Sequence, residues 1–138
     1  ALAYSLPGFG AKTTPVIMAC VPDALWRCPL KRKKKVSRLQ ALFGIEPRCR
    51  QSGTWTGHLK LSKRGIRAAR TAMYQIAFCS VIHDPVMRAY YQRLTTQEKK
   101  PHKVALFDLA RKHLRRLVAV ISSGKPFTPH ETFTSCPA

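Results

Sequence analysis

One long amphipathic segment constrains the fold of this chain more than any other feature. From Lys103 to Ser122, apolar residues recur every three or four positions, the spacing that places them on one face of an α-helix. Pro101 precedes the segment and Gly124 follows it, so both ends carry helix-boundary signals. The apolar stripe consists of Leu106, Leu109, Ala110, Leu114, Leu117, Val120 and Ile121. A stripe of this length predicts a long helix with one face packed on the core of a small domain.

Three other segments also show helical patterns. The range Val36–Phe43 is apolar at helical spacing and ends at Gly44. A longer helix is predicted over Ser62–His83, with its first residue as N-cap. Asp84 and Pro85 then suit the N-cap and first position of the next helix. The apolar side of the Ser62–His83 helix contains Ala69, Met73, Ile76, Ala77, Ser80 and Val81. The apolar side of the helix that begins at Pro85 contains Met87, Tyr90, Tyr91 and Leu94.

The chain has the size and composition of one mainly α domain. It has 138 residues, of which 45% are hydrophobic, enough for a single modest core. Between residues 46 and 61, turn and strand-forming residues predict a short loop or hairpin. We expect the domain to cover residues 1–126 and the Pro-containing segment 127–138 to be a flexible tail.

A glycine-containing turn, Leu6-Pro7-Gly8-Phe9-Gly10, lies near the start of the chain. Its two glycines can take positive φ between apolar neighbours. The turn is either an ordinary structural turn or part of a helix-hairpin-helix motif, in which the N–H groups of Gly8 and Gly10 lie open to a DNA phosphate. Because Pro-Gly sequences also form ordinary turns, the sequence leaves both interpretations open.

The charge of the chain is strongly positive. Lys and Arg number 25 against 6 Asp and Glu, a formal net charge of +19. Such an excess predicts a polyanionic partner, and nucleic-acid phosphates are favoured because neutralising them releases counterions. An anionic membrane surface is the rival partner. The sequence contains neither a run of 18 apolar residues nor a signal peptide, so we expect a cytoplasmic, nucleoid-associated protein with no membrane partner.

Two groups of cations stand out. Lys31–Lys35 is an unbroken basic run, which predicts a solvated loop that either faces water only or lies along a phosphate backbone. The second group recurs every three or four positions near the start of the Ser62–His83 helix, so it should form one basic stripe without an acidic partner. This stripe consists of Lys60, Lys63, Arg64, Arg67 and Arg70.

The residues for metal or covalent chemistry are few. Five cysteines and five histidines lack ligand spacing, and six carboxylates are dispersed, so neither a zinc site nor a two-metal nuclease site is expected in this chain. A serine hydroxyl can attack a phosphodiester if nearby cations stabilise the transition state. Ser52 has Arg48, Arg50, Lys60 and Lys63 close in sequence. From the residues alone, Ser52 is either a turn residue or a nucleophile.

Several short motifs follow one another in a distinctive order. They are Leu6–Gly10, Leu39–Pro47, Gln51-Ser52-Gly53, Leu61–Gly65 with Arg70, Asp84-Pro85 with Tyr90-Tyr91, Lys103-Val104-Ala105, and Gly124–Phe127. Together the motifs cover nearly the whole chain, and their order resembles the C-terminal domain of the insertion sequence one-ten family of transposases. Two positions depart from that pattern: Ile66 replaces the usual Asn, and Pro15 interrupts a helix that is normally continuous.

The resemblance implies one half of a two-part enzyme. In that family an N-terminal resolvase-like domain carries acidic metal ligands, and the C-terminal domain carries a strand-exchange serine, which Ser52 matches. It also implies DNA and a structured guide RNA as partners, and a homo-oligomer at full length. A divalent metal is expected only with the N-terminal domain. We therefore expect this chain to be a truncated copy, a decayed copy or a fragment, inactive alone.

Two other functional classes fit the same residues. A small basic protein can be a structural RNA-binding module, in which Ser52 is only a turn residue. Basic helices can also serve as a membrane-surface or partner-docking device.

Overall fold

The structure, a computed structural model, describes residues 2–48, 51–52, 55–56 and 60–128. Within them the chain is mainly α-helical, as predicted. A short 3-10 helix spans Leu2–Ser5, and the α-helices are α1 (Thr13–Cys20), α2 (Asp23–Arg27), α3 (Arg32–Phe43), α4 (Arg67–His83), α5 (Pro85–Thr96) and α6 (His102–Ser123). Four two-residue strands lie between α3 and α4: β1 (Pro47–Arg48), β2 (Gln51–Ser52), β3 (Trp55–Thr56) and β4 (Lys60–Leu61).

The central element is α6, the helix with the predicted apolar stripe. Leu109, Leu114 and Leu117 in the stripe are completely buried. The 3-10 helix, α3, α4 and α5 all pack against α6. Gly124 ends the helix in the left-handed conformation, with φ of 67°, which confirms the predicted stop.

Helices α4 and α6 lie side by side and run in the same direction. The rings of Tyr74 and Phe107 have centroids 5.6 Å apart. Further along both helices, His113 Nε2 lies 2.8 Å from Ser80 Oγ. The apolar side predicted for α4 faces this contact, since Met73 and the other core residues of α4 are buried. The packing of α4 on α6 therefore forms the main part of the core.

The N-terminal turn lies directly on α4. Gly8 has φ of 85°, and a Cβ at this position would lie 2.6 Å from the carbonyl oxygen of Ile76. No side chain fits there, so Gly8 allows the turn to approach the helix backbone. Of the two glycines that can take positive φ, Gly8 does so and Gly10 does not.

The basic run Lys31–Lys35 lies mostly in a helix, because α3 begins at Arg32. The prediction of a solvated loop is therefore wrong. Lys35 is buried, and its Nζ donates a hydrogen bond to the carbonyl oxygen of Trp26 at 2.9 Å. This bond and the buried Val36 anchor the first turn of α3, while water screens the repulsion among the exposed cations.

Helix α4 begins at Arg67, five residues after the predicted N-cap Ser62. The amide of Ser62 instead donates to the carbonyl of Glu46 at 3.0 Å, and the amide of Ile66 donates to the carbonyl of Leu42 at 2.9 Å. The backbone of residues 62–66 is thus paired with the end of α3 and cannot turn as a helix. The predicted start of α4 is wrong for this reason.

The segment between α3 and α4 forms a hairpin, the second of the two predicted alternatives. Strands β1 and β4 pair in antiparallel fashion at its root, and β2 and β3 pair further along. In this register Arg48 is opposite Lys60, and Ser52 is opposite Trp55.

The connection into α5 has the predicted cap. The amide of Val86 donates to Asp84 Oδ1 at 2.9 Å, and Pro85 is the first residue of the helix. Met87 and Leu94 on the apolar side of α5 are buried.

The chain returns to its N-terminus after α6. The amide of Phe127 donates to Ser5 Oγ at 2.9 Å, and the guanidinium carbon of Arg116 lies 5.1 Å from the centre of the Phe127 ring. The predicted flexible tail begins at Phe127, whereas in the structure this residue packs on the domain. Residues 129–138 of that tail lie outside the described residues.

Candidate nucleic-acid interface

A groove of about 540 Å³ lies between α1 and α4. The groove is lined by Lys12, Thr13, Val16, Arg67, Ala68, Thr71, Ala72 and Gln75. Alanines and a valine provide its apolar surface, whereas hydroxyl, amide and cationic groups provide hydrogen-bond donors. We call this feature the α1–α4 groove.

The N-termini of α1 and α4 both lie at this groove. Lys12 is the N-cap of α1, and Arg67 is the first residue of α4. Neither helix has a side-chain cap or an acidic residue in its first turn. The first N–H groups of a helix lack intrahelical acceptors and form the positive end of its dipole. At α1 the amide of Thr14 already donates to the carbonyl oxygen of Gly10 at 3.1 Å, and Pro15 has no N–H. The N-terminus of α4, together with the cations Lys12 and Arg67, therefore provides the main features that favour binding of phosphate oxygens.

Two more cations, Lys63 and Arg64, lie on the connection that leads into α4, and both are exposed. In the part of the chain that the structure describes, neither of them pairs with an acidic group, and the same holds for Lys12 and Arg67. Their charge is therefore available to an external anion.

The predicted basic stripe does not lie on one helical face. Of its five residues, only Arg67 and Arg70 belong to α4, because the helix begins later than the sequence indicates. Lys63 and Arg64 precede the helix, and Lys60 lies in β4. The structure does bring Arg67 to the α1–α4 groove, beside a cation from α1.

Arg70 faces the protein itself. Its Nη1 donates to the carbonyl oxygen of Phe43 at 3.4 Å and to that of Lys63 at 3.2 Å. These bonds engage the guanidinium at the junction of the hairpin with α3 and α4. A phosphate-binding role for Arg70 stays a prediction.

The hairpin holds the predicted nucleophile and the cations near it in sequence. The β1–β4 pairing places the backbones of Arg48 and Lys60 opposite each other at the root of the hairpin. Ser52 lies further along, in β2. Arg50 lies outside the described residues. The roles assigned to these four residues stay predictions.

The turn glycines also have contacts within the protein. The amide of Gly10 donates to Thr13 Oγ1 at 3.2 Å. Gly8 packs against the backbone of α4, as described above. These contacts fit a structural turn, and the assignment of both amides to a phosphate stays a prediction.

Two acidic residues, Glu98 and Asp108, form ion pairs near the end of α5 and in α6. Lys100 Nζ lies 2.7 Å from Glu98 Oε2 and 2.9 Å from Asp108 Oδ2, and Arg111 also contacts Asp108. The hydrogen bond from Lys100, together with its charge and that of Arg93, holds the pKa of Glu98 below its usual value. Arg93, Lys100 and Arg111 thus have acidic partners, unlike the cations beside the α1–α4 groove.

The described residues do not fit a metal ion. Among them, no group of three or more His, Cys, Asp or Glu side chains is placed to hold one.

Of the polar residues that line the groove, only Arg67 was predicted from the sequence; Lys12, Thr13, Thr71 and Gln75 were not. Lys12 carries a partial signal, because it lies two residues after the glycine turn for which phosphate binding is one of the two interpretations. The two residues from α4 carried no signal, since they join the groove only through the packing of α1 on α4.

Comparisons with known proteins agree with the class that this basic helical domain suggests. The sequence model described as Transposase IS116/IS110/IS902 family matches residues 1–92. The chain belongs to this family. The matched range contains both the α1–α4 groove and the hairpin.

Three relatives are individual insertion-element proteins. The chain is 33% identical over 131 residues to the 42 kDa protein of insertion element IS900 from Mycobacterium paratuberculosis, covering 95% of this chain and 31% of the relative. It is 30% identical over 120 residues to the 43.6 kDa protein of IS110 from Streptomyces coelicolor, covering 87% and 28%. It is also 30% identical over 125 residues to the 44.8 kDa protein of IS116 from Streptomyces clavuligerus, covering 91% and 30%. The chain thus spans less than a third of each relative.

No helix among the described residues is both long enough and apolar enough to cross a bilayer.

Proposed function

We propose that this chain is the DNA-binding domain of a transposase, acts in DNA transposition, and holds the phosphate backbone of DNA at the α1–α4 groove. The observation that carries the proposal is the convergence of Lys12 and Arg67 at the N-terminus of α4, which has neither a side-chain cap nor an acidic residue in its first turn. Lys63 and Arg64, without acidic partners in the described part of the chain, extend the same positive surface. Membership of a transposase family supports a role in transposition.

Contacts of this kind position a nucleic acid without reading its sequence. Sequence choice must therefore come from another source, and the resemblance suggests a guide RNA that pairs with the DNA. The exposed cations on α3 are candidates for contacts with this second nucleic acid. They are Arg32, Lys33, Lys34 and Arg38.

Ser52 is the candidate nucleophile for strand exchange. In the proposed step its hydroxyl oxygen attacks a DNA phosphorus, and a phosphoserine ester forms as the bond from phosphorus to the bridging sugar oxygen breaks. The serine proton ends on that sugar oxygen, which leaves as a hydroxyl group. Nearby cations stabilise the charge on the phosphoryl oxygens. A divalent metal, where one is needed, would be held outside these residues.

Salt dependence tests the groove. Counterion release makes log K for DNA binding fall linearly with log salt, by about 0.9 per phosphate contact. Changing Lys63, Arg64 and Arg67 to Ala should flatten this slope by about 2 to 3 units, measured by fluorescence anisotropy with a duplex. An unchanged slope would refute the assignment of these cations.

A matched variant controls for net charge. Lys99, Arg115 and Lys125 are exposed and lie outside the α1–α4 groove. Changing these three to Ala removes the same charge and should leave the slope nearly unchanged. If both triple variants flatten the slope equally, binding depends on net charge alone and the groove has no special role.

Competition separates the alternative functions. Equal affinity for unrelated RNAs, with weaker binding to DNA, would favour a structural RNA-binding module. Binding to anionic vesicles that persists in excess DNA would favour a membrane-surface role and contradict the proposal.

The nucleophile needs a separate test. In a protein that joins this domain to a metal-binding domain of the family, a covalent protein–DNA adduct should form and should disappear in Ser52→Ala. Ser62→Ala is the control, since Ser62 follows the hairpin and lies outside β2. Strand exchange that persists in Ser52→Ala would place the nucleophile elsewhere.

A further inference from the structure

We infer that Arg70 is a positioning residue, which locks the root of the hairpin and so sets the direction in which Ser52 is presented. The inference rests on the proposed function only for the role of Ser52. The lock itself follows from contacts among described residues at the end of α3, the connection 62–66 and the first turn of α4.

Two glycines bring these segments into backbone contact. A Cβ at Gly65 would lie 2.3 Å from the carbonyl oxygen of Leu42, and a Cβ at Gly44 would lie 2.8 Å from Nη1 of Arg70. Real Cβ atoms do not approach other atoms so closely. Gly44 also has φ of 66°, which favours glycine. Backbone packing against α3 therefore excludes a side chain at Gly65, and the positive φ disfavours one at Gly44.

Arg70 joins the two sides of this junction. Its Nη1 donates to Phe43, the last residue of α3, and to Lys63 in the connection, at 3.4 and 3.2 Å. Carbonyls at the end of a helix lack intrahelical partners, so the guanidinium satisfies one of them. Lys63 has φ of 52°, a conformation that costs energy for a residue with a side chain, and the bond to its carbonyl helps to hold it.

The junction continues directly into the hairpin. The amide of Ser62 donates to the carbonyl of Glu46, and the amide of Lys63 donates to that of Gly44, at 3.0 and 3.2 Å. These bonds precede the β1–β4 pairing without a break. Fixing the junction therefore fixes where β1 begins and where β4 ends, which sets the angle of the hairpin relative to α4.

Arg67 provides the comparison within the same helix. It lies one turn before Arg70, is exposed and lines the α1–α4 groove. Arg70 is half-buried, with its donors directed to carbonyls of the protein. The two arginines therefore have separable roles, one toward an external phosphate and one toward the hairpin.

Amide hydrogen exchange, measured by NMR on the 138-residue chain without DNA, tests the lock. Arg70→Ala should speed exchange of the Ser62 and Lys63 amides by about tenfold or more, the effect of losing a hydrogen bond from a charged donor. Arg70→Lys keeps a charged donor and should restore part of the protection. Arg67→Ala should leave both amides unchanged. Amides of α6 serve as the reference for global stability.

DNA binding provides the second readout. Arg67→Ala should flatten the salt slope by about one unit, whereas Arg70→Ala should leave it unchanged. The inference is overturned if Arg70→Ala flattens the slope by one unit and leaves the Ser62 and Lys63 amides protected. It is also overturned if the α6 amides lose protection equally, since Arg70 would then support the whole fold. An unchanged slope in Arg67→Ala would count against the groove only, because hydrogen exchange does not depend on DNA.

Discussion

His113 on α6 and Ser80 on α4 form a hydrogen bond in the interior of the domain, with Nε2 and Oγ 2.8 Å apart. The Ser80 hydroxyl donates to the carbonyl of Ala77 at 2.7 Å, so Nε2 carries the imidazole proton and is the donor. Both residues are completely buried, and Nδ1 has no partner within the described part of the chain. The native fold thus holds His113 neutral.

This burial makes the stability of the domain dependent on pH. Burial, followed by the charges of Arg116 and Lys112, lowers the pKa of His113 to about 3. In the unfolded chain the imidazole titrates near its ordinary value of 6.5. Between these values the unfolded state binds one proton more than the folded state. Stability is therefore complete above about pH 6.5 and declines as the pH falls toward 3.

The expected decline is about 1.4 kcal/mol per pH unit for one group. Urea unfolding at pH 7, 6, 5 and 4 would measure it, with His113→Leu as the comparison. The unfolding free energy of the wild type minus that of the variant should fall by that amount for each pH unit below pH 6. A constant difference across this range would show that the imidazole titrates normally in the folded state.

Removing the acceptor should also destabilise the fold. Ser80→Ala leaves the buried Nε2–H of His113 without its acceptor, at a cost of about 1 to 3 kcal/mol. Ser37 is exposed on α3, so Ser37→Ala should change the unfolding free energy by less than about 0.5 kcal/mol. The double variant Ser80→Ala with His113→Leu should regain part of the loss, because it leaves no unpaired polar group.

Features set by neighbouring residues could be predicted from the sequence. The stripe of α6, its stop at Gly124 and the Asp84-Pro85 start of α5 depend on periodicity and capping within a few residues. The start of α4 could not be predicted in this way. It depends on amide bonds from Ser62 and Ile66 to the end of α3, which only tertiary packing creates.

The candidate site, too, could be predicted only in part from the sequence. The excess of positive charge around residues 60–70 is visible in the sequence, because counting charges does not require a fold. The different surroundings of the individual cations are visible only in the structure. Arg67 lines the groove with Lys12, whereas Arg70 donates to backbone carbonyls. Two arginines with equal charge and helical spacing cannot be told apart by pattern, since the direction of each guanidinium depends on segments distant in the chain.

The basic run of α3 provides a prediction about two adjacent lysines. Lys35 is 8% exposed and donates to the carbonyl of Trp26, whereas Lys34 is fully on the surface. Lys35→Ala should destabilise the domain by about 1 to 2 kcal/mol, because it removes a charged donor and the packing of its methylene chain. Lys34→Ala should change stability by less than about 0.5 kcal/mol. Thermal unfolding followed by circular dichroism measures both, and equal effects would contradict the anchoring role of Lys35.

The tight packing at the junction of α3 with the connection 62–66 predicts that a Gly→Ala change there is destabilising. At Gly65 the new methyl group would lie 2.3 Å from the carbonyl oxygen of Leu42 and 2.5 Å from the amide nitrogen of Gly44. Both are backbone atoms that cannot rotate away, so the segments must separate. Gly65→Ala should therefore destabilise the domain by more than about 2 kcal/mol, within the range of overpacking a tight site.

Gly10 is the matched control, since a methyl group there meets no atom within 4 Å and its φ is not positive. Gly10→Ala should be neutral or stabilising by up to about 1 kcal/mol, because it restricts the unfolded chain. Urea unfolding of both variants at pH 7 provides the measurement. Equal stability of the two would mean that the connection 62–66 moves away from α3 at little cost, and the tight junction would then not hold the hairpin in place.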